Sequence, residues 1–557
     1  MNEKDALAQA YLLFQQGNAV AAYALLQPLA QSSAAHVNLL HLAGAAAAAV
    51  GLHAEAIRLL RRALAAAPGD LAISYKLGRA LVDGGQRQDA LSLYLELIAA
   101  GMQHPDVYTA AAVLLQEFQR DEEALQTLQR ALQLAPQAAN NWYLQSVLQA
   151  RLRRLPDAVD SLLQALALAP DQIHFHRDLA LALHGLHRNA EALEVVERAL
   201  EMAPDVVLIW NARAAILSRL GRYQESIASS EAALALAPED ADARVNLALT
   251  LLTLGQFERA WPLYEARWQG ELADPARHQQ IARWNGTQDL QGKRILVWAE
   301  QGYGDTVQFC RYALQLVALG ARVILEVPAA LKQLMQTLAV APDMLVIESG
   351  EHLPLLDFQM PLMSLPLVFA TRVDSIPAFP TYLHSDPRKR ADWATALGAA
   401  TKPGLRIGIV CSGNGGNRKD ATRSMPLAAF APLFEAVAAD FYLLQPELRQ
   451  ADYAFLQTLP ASTLHWPGRQ LREFDDTAAL IANLDLVISV DTAVAHLAGA
   501  VGVPVWILLS EVADWRWFLA RSDSPWYPAA TLWRQVRSGD WDEVITRVQQ
   551  RLSSGSY

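Results

Sequence analysis

Five prolines, Pro68, Pro136, Pro170, Pro204 and Pro238, each follow a short Ala/Leu-rich segment, and their spacings are 34 residues or a multiple of it. The skipped position is Met102, in Ala99-Ala100-Gly101-Met102. A fixed period of this length marks a stack of like helical hairpins, and it constrains the fold before any other feature. Small residues recur where the two helices of a hairpin must come close: Ala56 and Ala63, Ala124 and Ala131, Ala158 and Ala165, Ala192 and Ala199, then Ser226 and Ala233. Tyr108, Trp142 and Trp210 open the first helix of their units, Gly44 or Gly78 sits one turn later, and proline stops the second helix.

Over roughly residues 34–270 this pattern resembles the tetratricopeptide repeat family. The resemblance implies an α-solenoid whose hairpins bury one another's apolar faces and leave a concave side for a protein partner or acceptor. In some such arrays fused to protein O-glycosyltransferases an asparagine ladder grips the peptide backbone. Asn246 and Asn211 are the residues here that answer to it, so most of the ladder is missing. His174 and His176 flank Phe175, but neighbours two apart on a helix point in different directions, so ordinary helix-surface histidines are expected rather than metal ligands.

Past Trp261 and Trp268 the rhythm fades. Short apolar, β-branched runs alternate with helix-length segments: 295–298, 323–327 and 345–347, then, after a Pro- and charge-rich stretch, 407–410, 442–444, 486–490 and 505–509. The expected order is α followed by α/β: a solenoid over 1–275, a Rossmann-like lobe over 276–375, a linker over 376–404 and a second Rossmann-like lobe over 405–557. Ligands of such sheets lie at the carboxyl ends of the strands.

Three loops there attract attention. Gly302-Tyr303-Gly304-Asp305-Thr306 follows the first strand, and its glycines let backbone approach a ligand. Asp305 is either a cleft carboxylate that accepts a hydroxyl proton or a helix cap. The run from Cys411 and Ser412 through Asn414, Arg418, Lys419 and Arg423 to Ser424 joins flexible backbone to three cations, which suits a diphosphate and equally a solvated loop. In Ser489-Val490-Asp491-Thr492-Ala493-Val494-Ala495-His496 a buried strand gives way to a helix whose free amides would bind an anion. Asp491 or Thr492 caps that helix in the structural reading, and a lone helical histidine is commonly structural too. The aromatics of Asp514-Trp515-Arg516-Trp517 and Trp526-Tyr527-Pro528 either wall a base or sugar pocket or bury the domain edge.

Composition removes several function classes. The 46 basic and 57 acidic side chains leave a charge of −11, which disfavours nucleic acid and anionic membranes. Cys310 and Cys411 are too few for a disulfide framework or thiolate metal site, and two buried thiols in a reducing compartment are expected. No export signal or membrane span is read, so the expected location is cytoplasmic. Dinucleotide, phosphate-loop and zincin fingerprints are absent from the sequence.

Gly304-Asp305, Arg423-Ser424-Met425-Pro426-Leu427 and Asp491-Thr492-Ala493-Val494-Ala495-His496 together resemble the heptosyltransferase family of GT-B enzymes over about residues 290–535. The Asp514-Trp515-Arg516-Trp517 and Ser524-Pro525-Trp526-Tyr527 segments are similar to a bacterial subgroup with tetratricopeptide repeats ahead of this domain. The resemblance implies an inverting, metal-independent transferase that takes a nucleotide sugar as co-substrate and needs no cofactor. It makes Asp305 the catalytic base and places Gly302, Gly304, Ser412, Asn414, Lys419, Arg423, Glu447, Asp491, Thr492, Ala493 and His496 around the donor. Ala493 stands where the family has glycine. The expected acceptor is Ser or Thr of a protein, with a lipid-linked or capsular glycan, or a scaffold that has lost activity, as alternatives. Exposed repeat ends make self-association plausible.

Overall fold

A computed structural model describes residues 3–269, 277–338, 344–398, 405–413, 415 and 420–555. It divides into two compact units, Met1–Ile216 and Leu217–Tyr557. The amino-terminal part is a helical repeat solenoid, and two parallel sheets of Rossmann type follow.

Sixteen helices, from Glu3–Gln15 to Phe257–Tyr264, form the repeats. The small positions read from the sequence are all closed: Ala56, Ala63, Ala124, Ala131, Ala158, Ala165, Ala192 and Ala199 have no exposed surface, nor do Ser226 and Ala233. A Cβ on Gly44 would lie 2.7 Å from Leu60 Cγ, and one on Gly78 2.6 Å from Tyr94 Cε1, so both glycines set helix separation. The helices that end before Pro68, Pro136, Pro170, Pro204 and Pro238 stop two residues short of the ring. Where Met102 replaces proline, Gly101 at φ 84° ends the helix instead.

The opening residues of the first helices have a defined task. Trp142 Nε1 donates to Pro136 O at 2.9 Å, His176 Nε2 to Pro170 O at 2.8 Å, Trp210 Nε1 to Pro204 O at 2.9 Å and Arg244 Nη2 to Pro238 O at 2.8 Å. Each bond satisfies a carbonyl at the close of the preceding unit. His176 is thereby a structural residue, and His174 packs edge-on against Phe175.

The array begins earlier than the proline series suggests. Positive φ recurs at Gly17, Gly51, Gly85, Gln119, Arg153, His187, Gly221 and Gly255, spaced by 34 residues from the first hairpin onward. The first hairpin, Glu3–Gln15 and Ala19–Ala30, carries Pro28 inside its second helix rather than a proline after it. Its turn glycine was the legible sign. Of the two ladder candidates, Asn211 is buried and Asn246 half-buried.

In the second unit, β1 (Arg294–Trp298) leads to α1 (Tyr303–Phe309), followed by β2 (Arg322–Val327), α2 (Ala329–Gln336), β3 (Met344–Glu348) and β4 (Phe358–Pro361). These strands form one parallel sheet in the order β3-β2-β1-β4. Helix α3 (Pro387–Leu397) precedes β5 (Leu405–Val410), β6 (Ala439–Leu443), β7 (Leu464–His465), α4 (Phe474–Ile481), β8 (Leu486–Val490), α5 (Ala493–Ala500), β9 (Val505–Leu509) and β10 (Ala530–Arg534). The second sheet is also parallel, ordered β10-β9-β8-β5-β6-β7. Its strand order reverses between β5 and β8, which opens a crevice at their carboxyl ends.

One apolar core in this unit runs from Ile227, Leu251 and Trp261 through Val297 and Phe309 to Trp517 and Trp526. Polar ties reinforce it: Trp261 Nε1 donates to Thr371 O at 2.9 Å, and Arg267 pairs with Glu300 at 2.9 Å. The compact unit consequently starts at Leu217, inside the repeats, although the sequence period changes near residue 275. The stretch expected as a linker is anchored as well, since Tyr382 and Leu383 are buried and Lys389 on α3 pairs with Asp475 and Asp476 on α4 at 3.0 and 2.7 Å. Arg311, without exposed surface, donates to Trp526 O at 2.6 Å and to Tyr382 Oη at 2.8 Å, joining the lobes. Cys310 and Cys411 are buried free thiols whose pKa is pushed up to about 12 by burial. Among the described residues no helix is long and apolar enough to cross a membrane.

Candidate functional site

The carboxyl ends of β1, β5, β6 and β8 face one cavity of about 1290 Å3. Asp305 and Gly302 reach it from the first lobe, and Ser412, Arg423, Glu447 and Asp491 from the second. Thr492, Ala493 and His496 also line it. Asn414 and Lys419 lie outside the described residues.

On the first-lobe side the strand-to-helix turn is tight. Gln301 adopts φ 61°, Gly302 is the N-cap of α1, and Asp305 is already the third residue of the helix. Asp305 Oδ2 accepts the Gly302 N–H at 2.8 Å, so the capping role foreseen for it is real, but it reaches back from inside the helix. Its Oδ1 accepts from Arg516. Arg516, 9% exposed, also donates to Gln308 Oε1 at 2.7 Å and Asp514 Oδ1 at 2.6 Å. One guanidinium of the second lobe thus grips two residues of α1. Asp305 remains a cleft carboxylate, since a carboxylate accepts about four hydrogen bonds.

Gly304 has a packing reason beyond backbone approach to a ligand. A Cβ there would lie 2.9 Å from His496 Cδ2 and 3.5 Å from Ala493 Cα. Helix α1 of one lobe rests on the start of α5 of the other at this point. His496 is held from both sides, with Nδ1 at 2.9 Å from Tyr527 Oη and its ring stacked on Trp517 at 5.1 Å. Burial, helped by the Arg516 charge, pushes its pKa down to about 3, so it meets a ligand as a neutral imidazole.

At the start of α5 the N-cap is Thr492, which makes no side-chain capping bond; its hydroxyl lies 3.1 Å from Ser489 Oγ. Neither Asp491 nor Thr492 therefore caps the helix, and the Ala493 and Val494 amides donate to no described residue. Thr492 is extended at φ −139°, and Ala493 is the first helical residue, so no left-handed conformation calls for glycine there. Asp491 is raised in pKa by burial and by the neighbouring Asp514 carboxylate. The Trp517 indole N–H lies beside it without reaching hydrogen-bond geometry.

The loop after β5 is organised by Asp420, whose Oδ1 accepts from Ser424 Oγ at 2.8 Å and Gly413 N at 3.2 Å. Arg423 Nε stands 3.5 Å from the same oxygen and forms no hydrogen bond among the described residues. Ser412 Oγ accepts from Gln445 Nε2 at 2.7 Å, tying the ends of β5 and β6 together. Glu447 is exposed at the cavity wall.

Sequence reasoning missed Gln308, Arg219 and the ionic role of Arg516. The Asp514-Trp515-Arg516-Trp517 segment drew notice for its rings, and these bury the domain edge: Trp515, Trp517, Trp526 and Tyr527 are all at least 96% buried. The charged residues of that segment, Asp514 and Arg516, are the ones that line the cavity. A lone arginine among tryptophans was the only sign of that ionic role.

The family profiles described as tetratricopeptide repeat match residues 47–114 and 217–270, and 109–173, 143–207 and 177–229. The profile of glycosyltransferase family 9 (heptosyltransferase) matches residues 471–510, which contain Asp491, Thr492, Ala493 and His496. The chain thus carries tetratricopeptide repeats followed by a region with a glycosyltransferase family 9 segment. Protein FlbA of Caulobacter vibrioides (strain ATCC 19089 / CIP 103742 / CB 15) is 29% identical over 324 residues, which is 55% of this chain and 54% of FlbA. The match therefore spans about half the length of that relative. Among solved structures, YrrB, described as a TPR protein with an unusual peptide-binding site, is 18% identical and covers 32% of this chain and 92% of its own at a TM-score of 0.31. A MamA structure is 22% identical, covering 28% and 93% at a TM-score of 0.28.

Proposed function

We propose that the protein is a cytoplasmic, metal-independent, inverting GT-B glycosyltransferase that moves a sugar from a nucleotide-sugar donor to a Ser or Thr hydroxyl of a protein, such as a flagellin or another surface protein, held by the repeats. The observation that carries the reading is convergence. Asp305 from one lobe, and Arg423 with the uncapped start of α5 from the other, face the same cavity. An anionic leaving group fits the second pair, and a proton acceptor fits the first.

In this reading the donor phosphates meet the Ala493 and Val494 amides and Arg423, with Gly302, Ser412, Asp491 and Thr492 shaping the pocket. Glu447 accepts from a ribose hydroxyl. The acceptor oxygen attacks the anomeric carbon from the face opposite the phosphate. Its bond to carbon forms as the carbon–phosphate oxygen bond breaks, its proton passes to Asp305, and the phosphate leaves with the electron pair. Arg516 orients Asp305, and the remaining lone pairs of the carboxylate receive the proton. His496, being neutral, supports α5 and supplies no charge.

Asp305→Asn retains the shape and removes the basicity. Turnover of labelled donor with cell protein fractions should fall by roughly 10²–10⁴-fold, while donor affinity stays within about twofold. Near-normal turnover would leave Asp305 as a cap only. Transfer into glycan rather than protein fractions would move the acceptor to a polysaccharide.

A further inference from the structure

The cavity includes a cation contributed by the repeats. Arg219 ends the helix Val207–Arg219 and belongs to the second compact unit. It lines the cavity beside the residues already placed there. We propose that Arg219 is a second phosphate-binding residue for the nucleotide part of the donor, so that the repeat array completes the transferase site as well as presenting an acceptor. The proposal rests on the transferase reading above and adds to it a residue with no counterpart in the matched family segment.

Charge accounting separates Arg219 from the other arginines of the cavity. The described lining holds four, Arg219, Arg423, Arg449 and Arg516, against four carboxylates, Asp305, Glu447, Asp491 and Asp514. Arg516 is committed to Asp305, Asp514 and Gln308, and Arg449 to Asp452 at 2.6 Å and Met425 O at 2.5 Å. Arg423 has only a 3.5 Å approach to Asp420. Arg219 forms no hydrogen bond or ion pair among the described residues; its electrostatic neighbours are Asp514 and Tyr223. With His496 neutral, the described lining without Arg219 would carry one net negative charge, an adverse surface for a nucleoside diphosphate.

Solvation points the same way. Arg219 is half-buried, and burial presses its pKa down, so its charge is held partly out of water without a protein carboxylate in bonding range. A desolvated guanidinium at a cavity wall gains most when an anion arrives. The competing role is local: a cation in the last turn of a helix interacts favourably with the helix dipole. That role predicts a change in stability and none in binding.

The test is calorimetry on the full-length protein with UDP, GDP, ADP, dTDP and CMP, followed by variants measured against the nucleotide that binds best. Arg219→Gln should weaken binding at least tenfold with an unchanged melting temperature, Arg219→Lys should recover part of the loss, and Arg259→Gln, an exposed control, should match the parent. An Arg219→Gln protein that melts earlier but binds within twofold overturns the proposal in favour of the helix-end role. If that substitution prevents folding, Arg219→Lys decides: a loss of affinity supports the phosphate contact, and an unchanged affinity overturns it. Tenfold loss in Arg423→Gln alone would overturn Arg219 and leave the transferase standing. A parent protein that binds none of the five would sink both.

Discussion

The repeats and the α/β region hold themselves together over different distances along the chain. Gln145 bonds Ser161 sixteen residues on, and Tyr143 reaches Asp178 after 35. In the α/β region Arg516 reaches Asp305 across 211 residues, and Arg311 reaches Trp526 across 215. Local closure lets each hairpin depend on its neighbours alone, whereas the cleft exists only once both lobes are in place. A defect in the repeats should consequently stay local, and a defect in the clasp should reach the whole second unit.

The largest test of that contrast is Arg516→Met. Removing one partner of a buried ionic network takes the guanidinium away from Asp305 and Asp514, at a cost of about 3–5 kcal/mol. Hydrogen exchange should show lost protection throughout residues 217–557 and little change over 39–199. Spread into the repeats would break the contrast. Next comes Gly78→Val, which puts methyl groups into a space already filled by Tyr94. An overpacking cost of about 1–3 kcal/mol is expected, confined to the adjoining hairpins, with nucleotide binding intact.

The third test uses pH. His496 has a folded pKa of about 3 against an ordinary value of 6.5, so between these values the unfolded chain binds more protons. Stability present above about pH 6.5 is therefore lost as pH falls toward 3, with a slope of up to roughly 1.4 kcal/mol per pH unit. In His496→Gln this part of the acid sensitivity should disappear from urea titrations, and an unaltered slope would deny His496 its buried neutral state. The smallest effect is favourable: Gln119 occupies a left-handed turn position that most other repeats give to glycine, so Gln119→Gly should add about 0.5–1 kcal/mol in thermal unfolding.

The two regions also differed in how much could be read. Ala124, Ala131 and Pro136 were legible because the same steric demand recurs each period and leaves the same residue types. The first hairpin lies within the expected solenoid of 1–275 but ahead of the residues 34–270 that carried the pattern, because its repeat sign was Gly17 rather than a terminal proline. The strand ends and the loops after them were legible from apolar runs and turn residues, and Asp305, Arg423 and Asp491 do share a cavity. Arg516 and Arg219 were hidden because nothing near them in the chain announces a partner in a distant lobe.

Sequence by itself determined the period, the helix stops, the alternation of strand and helix, and the loops that come to the strand ends, since each follows from backbone sterics and side-chain volume over a few residues. Tertiary structure decided that Gly304 accommodates His496, that the histidine is neutral, that Arg516 holds Asp305, and that a repeat arginine reaches the cleft. Those outcomes depend on burial and on charges brought together from remote parts of the chain. Electrostatic free energy belongs to the assembled surroundings of a group and cannot be assigned to the residue alone.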